Sequence, residues 1–530
     1  MSKRSQGSRS PNSYPDHWPP VLLHHHFLQY ARLRPSSCAI DSVNGCLSYK
    51  GLYYHSFRFA STLSAWGLSP GDRVILELDP CPEAVALIAA CSMLGLVFVP
   101  VGPETPPARI DNITSITEAA LHIHSTHGYR PVTPREGMIR AVLAGSTLEL
   151  EDESQAIRHL GVRSILESDL CYIIFTSGTT GKPKGIMMSH RAVLAFFRGL
   201  VDHCGLGPSA RVGTFAPLQF DFSLLDMGLA FGSGATLVQV PRILFHNPKQ
   251  LLGYLNETRV TQMNSVPALW RAILRHAGEN LTQLRHLEAI LFAGEPFPIA
   301  DLIRLRASLP SLRVINCFGQ SESIACSFTD VPIPLPPETE NLSIGFAHPG
   351  AEMLLIDPQG QEIRDPGIVG EIYLRGATLF LGYWRDPNAT AEALVLNPLR
   401  PLSGERVFRT GDMAYKGPIG DLYFCGRRDQ QVKILGNRVE LAEVESRLCA
   451  HSGVDQAVAV ATRYQDDTKL IAYVVRKKDG PAVTRDELHL FCKSNLNSYM
   501  IPTLIKFVDT LPINSNGKLD RASLFTDKLI

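Results

Sequence analysis

The chain has 530 residues, more than one ordinary hydrophobic core organises, so two or more domains are expected. Lys+Arg and Asp+Glu both number 51, for a net charge of zero, and hydrophobic residues make up 45% against 19% charged. That balance is normal for a globular protein and leaves no long electrostatic footprint for nucleic acid or anionic lipid.

The first twenty residues are polar and proline-rich and lack the apolar core of a signal peptide, so 1–20 is expected to be a loose arm. His24, His25 and His26 follow. No other ligand types cluster beside them, and they read as a surface run rather than a metal site. Ala84 to Val101 carries no charge and approaches membrane-span length, but Gly95 and Pro100 break it. With βα patterns on both sides, it reads as a helix and strand buried in an α/β core. The eleven cysteines show no CxxC pair and no zinc spacing, which reads as free thiols in a reducing cytosol. A cytoplasmic protein with no membrane and no nucleic-acid partner is expected.

The run Cys171–Phe175 reads as a buried strand that breaks into Thr176, Ser177, Gly178, Thr179, Thr180, Gly181, Lys182, Pro183, Lys184 and Gly185. Such a loop offers backbone N–H groups, hydroxyls and lysine charge to a polyphosphate. It is not the familiar P-loop, because two residues separate Gly178 from Gly181 and Pro183 stands where Ser or Thr is needed. Taken singly, the loop reads equally well as a flexible surface turn. Beyond it, short β-rich runs alternate with helical patterns: ARVGTFAPL, FSLLDMGLAF, GATLVQV, then VTQMNSV, PALWRAILRHA, LEAILFAG. Alternation of this kind predicts βα units and largely parallel sheets, an α/β fold. From about 345 the texture changes to strands separated by Gly and Pro, a small β-rich subdomain over 345–428 within a large domain of 21–428. A second boundary near Arg427–Asp429 opens an α+β module over 429–530, with strands at QVKILG, QAVAVATRY and KLIAYVVR and helices at ELAEVESRLCAH and TRDELHLFCKSNL.

The fifteen-residue string CYIIFTSGTTGKPKG resembles the signature of the acyl-adenylate-forming superfamily: acyl-CoA ligases, adenylation domains of non-ribosomal peptide synthetases, and luciferases. Four more segments fall in that family's order. They are Asn316–Glu322 (NCFGQSE), Thr410–Asp412 (TGD), Gly426–Glu440 (GRRDQQVKILGNRVE) and Asn516–Arg521 (NGKLDR). Gln320 and Ser321 replace the common Pro and Thr, and Ser321 keeps the hydroxyl. Asn514 stands where Thr is common in the tail. The resemblance covers the chain from about residue 25 to the end.

The resemblance implies ATP and Mg²⁺ as cofactors. Nucleotide contacts would come from Thr176 to Lys182, Gly294, Glu295, Asn316, Gly319, Ser321 and Phe424. Phe318 would stack on adenine, whose flat face rewards an aromatic. Asp412 would accept from both ribose hydroxyls, and Arg427 would face ribose or phosphate. Glu322 would hold Mg²⁺, a hard cation that prefers carboxylate oxygen. Lys518 would reach the substrate carboxylate and α-phosphate, stabilising the charge that builds as the carboxylate attacks phosphorus. Asp429 matches the hinge on which the small domain rotates, and Lys433–Gly436 matches the segment that faces the site for thioester formation, with Lys433 as a second catalytic lysine.

By motif position the acid pocket would be Asp221, Phe222, Leu225, Asn264, Leu291, Ala293, Cys317, Ala325 and Cys326. Asp221 would pair with a substrate ammonium, which points to amino acids. The other walls carry no charge and are small to medium, so a small or medium apolar amino acid is expected, proline first and alanine or threonine next. Leu225, Leu291, Ala293 and Cys326 resemble proline-activating pockets, whereas Asn264 and Phe222 resemble threonine-type ones. Twelve residues follow Lys518 and the chain holds no carrier-type serine site. The acceptor is therefore expected to be a separate molecule, a carrier protein with a phosphopantetheine arm or coenzyme A, with the carrier protein taken first. An acyl-CoA ligase for a non-amino acid is the alternative, and a non-catalytic binding homologue a second one.

Overall fold

The computed structural model describes residues 20–126, 137–152, 164–177, 183–428, 431–464, 467–478, 480–512 and 521–524. The expected arm over 1–20 lies, but for residue 20, outside them, as do Gly178 to Lys182, Asp429 and Lys518.

Two eight-stranded sheets build the large domain. In the first, the strands Arg211–Thr214, Thr236–Gln239, Gln262–Ser265, Ala289–Phe292 and Arg313–Phe318 run parallel. In the second, Arg73–Glu77, Val97–Val101, Leu121–Ser125 and Ile139–Ala144 run parallel. Helices alternate with these strands as the sequence predicts: Asp221–Ser233 follows the first strand and Pro267–Ala277 the third. The uncharged stretch from Ala84 becomes the buried helix Pro82–Leu94 and the buried strand Val97–Val101. Gly95 ends the helix at φ +67, a left-handed conformation that suits glycine. No helix among the described residues is long and apolar enough to cross a membrane.

A five-stranded antiparallel sheet follows, from Ala351–Ile356 to Leu422–Arg427. One short strand from this region, Gly382–Tyr383, leaves it and pairs with Lys184–Ser189 at the edge of the second large sheet. The small domain has a hairpin, Gln431–Ile434 with Asn437–Glu440, and a three-stranded sheet backed by the helices Leu441–Cys449 and Arg485–Lys493. Its apolar side chains form their own core around Val439, Leu448, Ala472, Leu488 and Met500.

Two sequence expectations are corrected here. The histidine run is not a surface run: it forms part of the helix Leu23–Leu28, which packs on the helices Pro82–Leu94 and Asp221–Ser233. His26 is buried, its Nε2 lies 2.8 Å from the Gly228 carbonyl, and burial pushes its pKa down to about 4 against that bond. The cysteines are not all free thiols either. Cys38 and Cys46 are joined across the antiparallel strands Cys38–Ser42 and Gly45–Ser48, with Cα atoms 5.8 Å apart. Sequence spacing does not reveal such a pairing until a hairpin register brings the two side chains together.

Candidate active site

Four neighbouring parallel strands end on the same side of the first sheet, and the residues that follow their carboxyl ends form the site. In parallel α/β sheets that edge is where ligands bind, because loops diverge there and leave a crevice. After Arg211–Thr214 the chain reaches Asp221, in the first turn of the helix Asp221–Ser233, where a negative charge meets the positive end of the helix dipole. Asn264 stands within Gln262–Ser265. Leu291 lies in Ala289–Phe292, with Ala293 and Gly294 just beyond, and Cys317 and Phe318 end Arg313–Phe318. Phe222, Leu225, Ala325 and Cys326 pack in the same core as these residues.

Asp221 lies beside the Ser321 hydroxyl, Glu322 and Lys433. Burial raises its pKa to about 6, against the lowering effect of the Ser321 hydrogen bond and Lys433. Glu322 is completely buried but behaves in the opposite way. Burial alone would raise it, yet Arg438 and the Tyr383 hydroxyl outweigh that and hold its carboxyl below the usual range. Its Oε1 accepts from Arg438 Nη1 at 2.6 Å and from Tyr383 Oη at 2.8 Å, whereas Oε2 is buried without a hydrogen-bond partner. A buried oxygen donor of this kind fits a hard divalent cation. Among the described residues no group of three or more His, Cys, Asp or Glu stands ready for a metal, so further oxygen ligands would come from phosphate and water.

At the other end of the site, the rings of Phe318 and Phe424 lie tilted against each other with centroids 5.5 Å apart. Asp412 is buried; Arg427 Nη1 donates to its Oδ1 at 2.6 Å, and Gln320 Nε2 to its Oδ2 at 3.4 Å. Burial raises the Asp412 pKa despite the nearby Arg427. Asn316 spends its amide on the Ser343 carbonyl at 2.9 Å, and Glu295 caps the helix Pro267–Ala277 by accepting from Ala268 N–H at 2.9 Å. Gly319 lies so close to Ala325 that any side chain would collide with its backbone.

The small domain docks onto this edge. Its hairpin turns at Leu435 and Gly436, with φ of +50 and +77, the two left-handed residues of a tight turn. The tip inserts beside Val266 and Gly294: a Cβ at Gly294 would stand 3.1 Å from Gly436 Cα, and one at Gly436 would overlap Val266. Ser177 clamps the far strand, donating to the Arg438 carbonyl at 2.8 Å and accepting from Glu440 N–H at 3.1 Å. Arg109 and Glu443 close the interface with a buried ion pair at 2.5 Å. Lys433 therefore faces the site, where burial lowers its pKa while Asp412 and Asp221 oppose that shift.

Several residues of this site escape the sequence motifs. Arg438 lies inside the GNRVE segment, but its partner Glu322 is 116 residues away. Tyr383 and the Arg109–Glu443 pair carry no local signal. Asp226 alters the description of the pocket. It is completely buried one residue beyond Leu225, and Asn264 Nδ2 donates to its Oδ1 at 2.9 Å. Gln262 Nε2 in turn donates to Asn264 Oδ1 at 2.9 Å. Burial pushes Asp226 up to about 7, although its bonds with Thr214 and Asn264 work the other way. The expected pocket walls themselves carry no charge, but an ionisable group that the sequence reading did not include stands directly behind Asn264.

A family model described as AMP-binding enzyme matches residues 27–384, and one described as AMP-binding enzyme C-terminal domain matches residues 443–518. The chain belongs to the AMP-binding enzymes. Within that family it is 31% identical over 516 residues to the L-proline--[L-prolyl-carrier protein] ligase of Pseudomonas fluorescens, covering 95% of this chain and 98% of that protein. It is 31% identical over 507 residues to Tyrocidine synthase 3 of Brevibacillus parabrevis, where the match covers 95% of this chain but spans 8% of that much longer protein. Among solved structures, that of IdnL1 is 44% identical, with a TM-score of 0.84 over 93% of this chain and 99% of the other. An AMP-binding enzyme with these relatives is an AMP-forming ligase of α/β fold, with a large amino-terminal and a small carboxyl-terminal domain.

Proposed function

We propose that the protein activates a small or medium, mostly apolar amino acid with ATP, forming an aminoacyl-adenylate and pyrophosphate, and then passes the aminoacyl group to the phosphopantetheine thiol of a separate carrier protein. The observation that carries this reading is Asp221, a half-buried carboxylate at a helix N-terminus whose cationic neighbour, Lys433, comes from the small domain. A carboxylate largely withdrawn from water gains most from a positive partner. A substrate ammonium supplies one, and fatty or aryl acids do not.

In the first half-reaction Phe318 and Phe424 would hold adenine, Asp412 and Arg427 the ribose, and Thr176 to Lys182 the phosphates. When bound, Mg²⁺ would neutralise phosphate charge beside Glu322. Lys518 would steady the substrate carboxylate and α-phosphate during attack. In the second half-reaction Asp429 would serve as the pivot, and the hairpin tip at Gly436 would lie against Gly294 as it does here. Lys433 would then face the acyl-adenylate in place of Lys518. A domain boundary at about 428, between the strand Leu422–Arg427 and the strand Gln431–Ile434, suits that rotation.

Leu225, Leu291 and Cys326 are buried apolar walls, and Asn264 already uses its carbonyl and one N–H within the protein. Proline, alanine and threonine remain the substrates to try first. The deciding experiment is ATP–pyrophosphate exchange across the common amino acids, D-forms included, followed by mass measurement of a phosphopantetheinylated carrier. Exchange with small amino acids and a matching mass gain on the carrier is expected. Best exchange with an acid that lacks an amine, or acylation of coenzyme A alone, would replace this reading with an acyl-CoA ligase.

A further inference from the structure

We infer that Arg438 is a built-in substitute for the divalent cation on Glu322, so that hairpin docking and metal occupancy exclude one another. The inference rests on the reading of Glu322 as the metal-holding carboxylate. Three observations lead to it. Glu322 is completely buried, and among the described residues the one cationic group hydrogen-bonded to it is the Arg438 guanidinium, 2.6 Å from Oε1. That guanidinium is delivered by the small domain, on a hairpin whose backbone is clamped by Ser177 at the Arg438 carbonyl and the Glu440 N–H, on either side of Val439. The remaining oxygen, Oε2, and the Arg438 Nε are both buried and without hydrogen-bond partners, so the pair does not satisfy itself.

A buried carboxylate is stable as an ion only beside a positive charge. Two positive groups cannot share it without repelling one another at close range in a low-dielectric setting. A divalent cation on Glu322 therefore disfavours the docked hairpin. Departure of the cation leaves a buried negative charge that Arg438 fills on docking. Arg438 is thus a positioning residue that ties the order of the two half-reactions to the ion on Glu322: the hairpin tip reaches Gly294 and Val266 only when the carboxylate has become available. The guanidinium suits this role because its charge is permanent and its donors are fixed in a plane.

The test uses the full-length protein with Mn²⁺ as the probe, in the presence of a non-hydrolysable ATP analogue. Mn²⁺ affinity is read by electron paramagnetic resonance, and hairpin docking by hydrogen exchange of the amides in residues 431–440. In the wild type, protection of those amides is expected to fall as Mn²⁺ saturates. Arg438→Met keeps the bulk and loses the charge; it is expected to bind Mn²⁺ about tenfold more tightly, the scale of one lost competing charge contact. Protection of its hairpin should no longer respond to the metal. Arg438→Lys should restore the metal response, which a purely structural role for Arg438 would not produce. Glu322→Gln isolates the underlying reading. Unchanged Mn²⁺ affinity in Glu322→Gln would remove the metal role of Glu322, and this inference with it. Loss of Mn²⁺ binding in Glu322→Gln, together with wild-type affinity in Arg438→Met and a metal-independent hairpin in the wild type, would overturn the competition alone. The wild-type titration stands without any variant, so a poorly folded Arg438→Met does not remove the test.

Discussion

Asp221, half-buried, and Glu322, completely buried, are two carboxylates close enough to repel one another, yet their protonation is set in opposite directions. Glu322 is answered by a guanidinium and a phenol from elsewhere in the chain and is held ionised. Asp221 has a hydroxyl and a more distant lysine, and burial lifts it to about 6. The difference lies in the partners, not in burial. One carboxylate is neutralised by a cation of the protein in this docked arrangement, whereas the other has no such close cationic partner among the described residues.

The sharpest way to separate the two half-reactions is Lys518→Ala. Removing a group that stabilises transition-state charge costs about 10²–10³-fold. That loss is expected in pyrophosphate exchange, while thioester formation from preformed aminoacyl-adenylate persists. Equal loss in both would mean that Lys518 does not act in adenylation alone.

Asp221→Ala tests the ligand end. Breaking a buried ion pair costs about 3–5 kcal/mol, so exchange should fall by at least about 10²-fold. AMP affinity, measured by calorimetry, should stay within about threefold, because the nucleotide contacts proposed above lie elsewhere. A matching loss of AMP affinity would place Asp221 at the nucleotide end and end the comparison. The same carboxylate predicts a pH effect. Asp221 must be ionised to hold an ammonium, so kcat/KM for the amino acid should fall about tenfold per pH unit below its pKa of about 6. Saturating substrate should flatten that fall, since the bound ammonium favours the ionised form. Asp221→Asn should remove it.

Gly436→Leu probes the docked hairpin. Its φ of +77 and the closeness of Val266 leave no room for a side chain. Carrier acylation, followed by single-turnover mass spectrometry, should slow by about 10–100-fold, with exchange changed by less than about threefold. Equal slowing would show that adenylation also needs this tip position.

The smallest expected effect concerns Asp226, a buried carboxylate with no ion partner among the described residues. Its pKa is raised in the folded state, so the folded protein keeps a proton that the unfolded chain has released. The stability contribution is present below about pH 4, where both states are protonated, and is lost as pH rises to about 7. Asp226→Asn should flatten the pH dependence of the melting temperature in that window. It should also stabilise the protein at pH 8 by about 1–3 kcal/mol if the amide keeps the bond to Asn264.

Much of this molecule was legible before any coordinates. Alternating runs gave the parallel strands and helices around Asp221 and Asn264 because side-chain periodicity follows backbone geometry. Ordered motifs singled out residues that the fold does bring into contact, Asp412 with Arg427 and Phe318 with Phe424. What stayed hidden was every feature that depends on which segments meet. Cys38 and Cys46 needed a strand register, and the histidine run needed the helices that cover it. Asp226 read as one more residue of an apolar helix until Asn264 and Gln262 were seen to bond in series behind the pocket.

The sequence by itself determined the α/β alternation and the chemistry available at each motif, because these follow from local pattern and side-chain type. Only the tertiary structure decided how those groups are charged and which are engaged. Arg438 and Glu322 lie on different domains, 116 residues apart, and become a pair only through docking. Burial and distance set a carboxylate's protonation, and neither is a property of the residue alone.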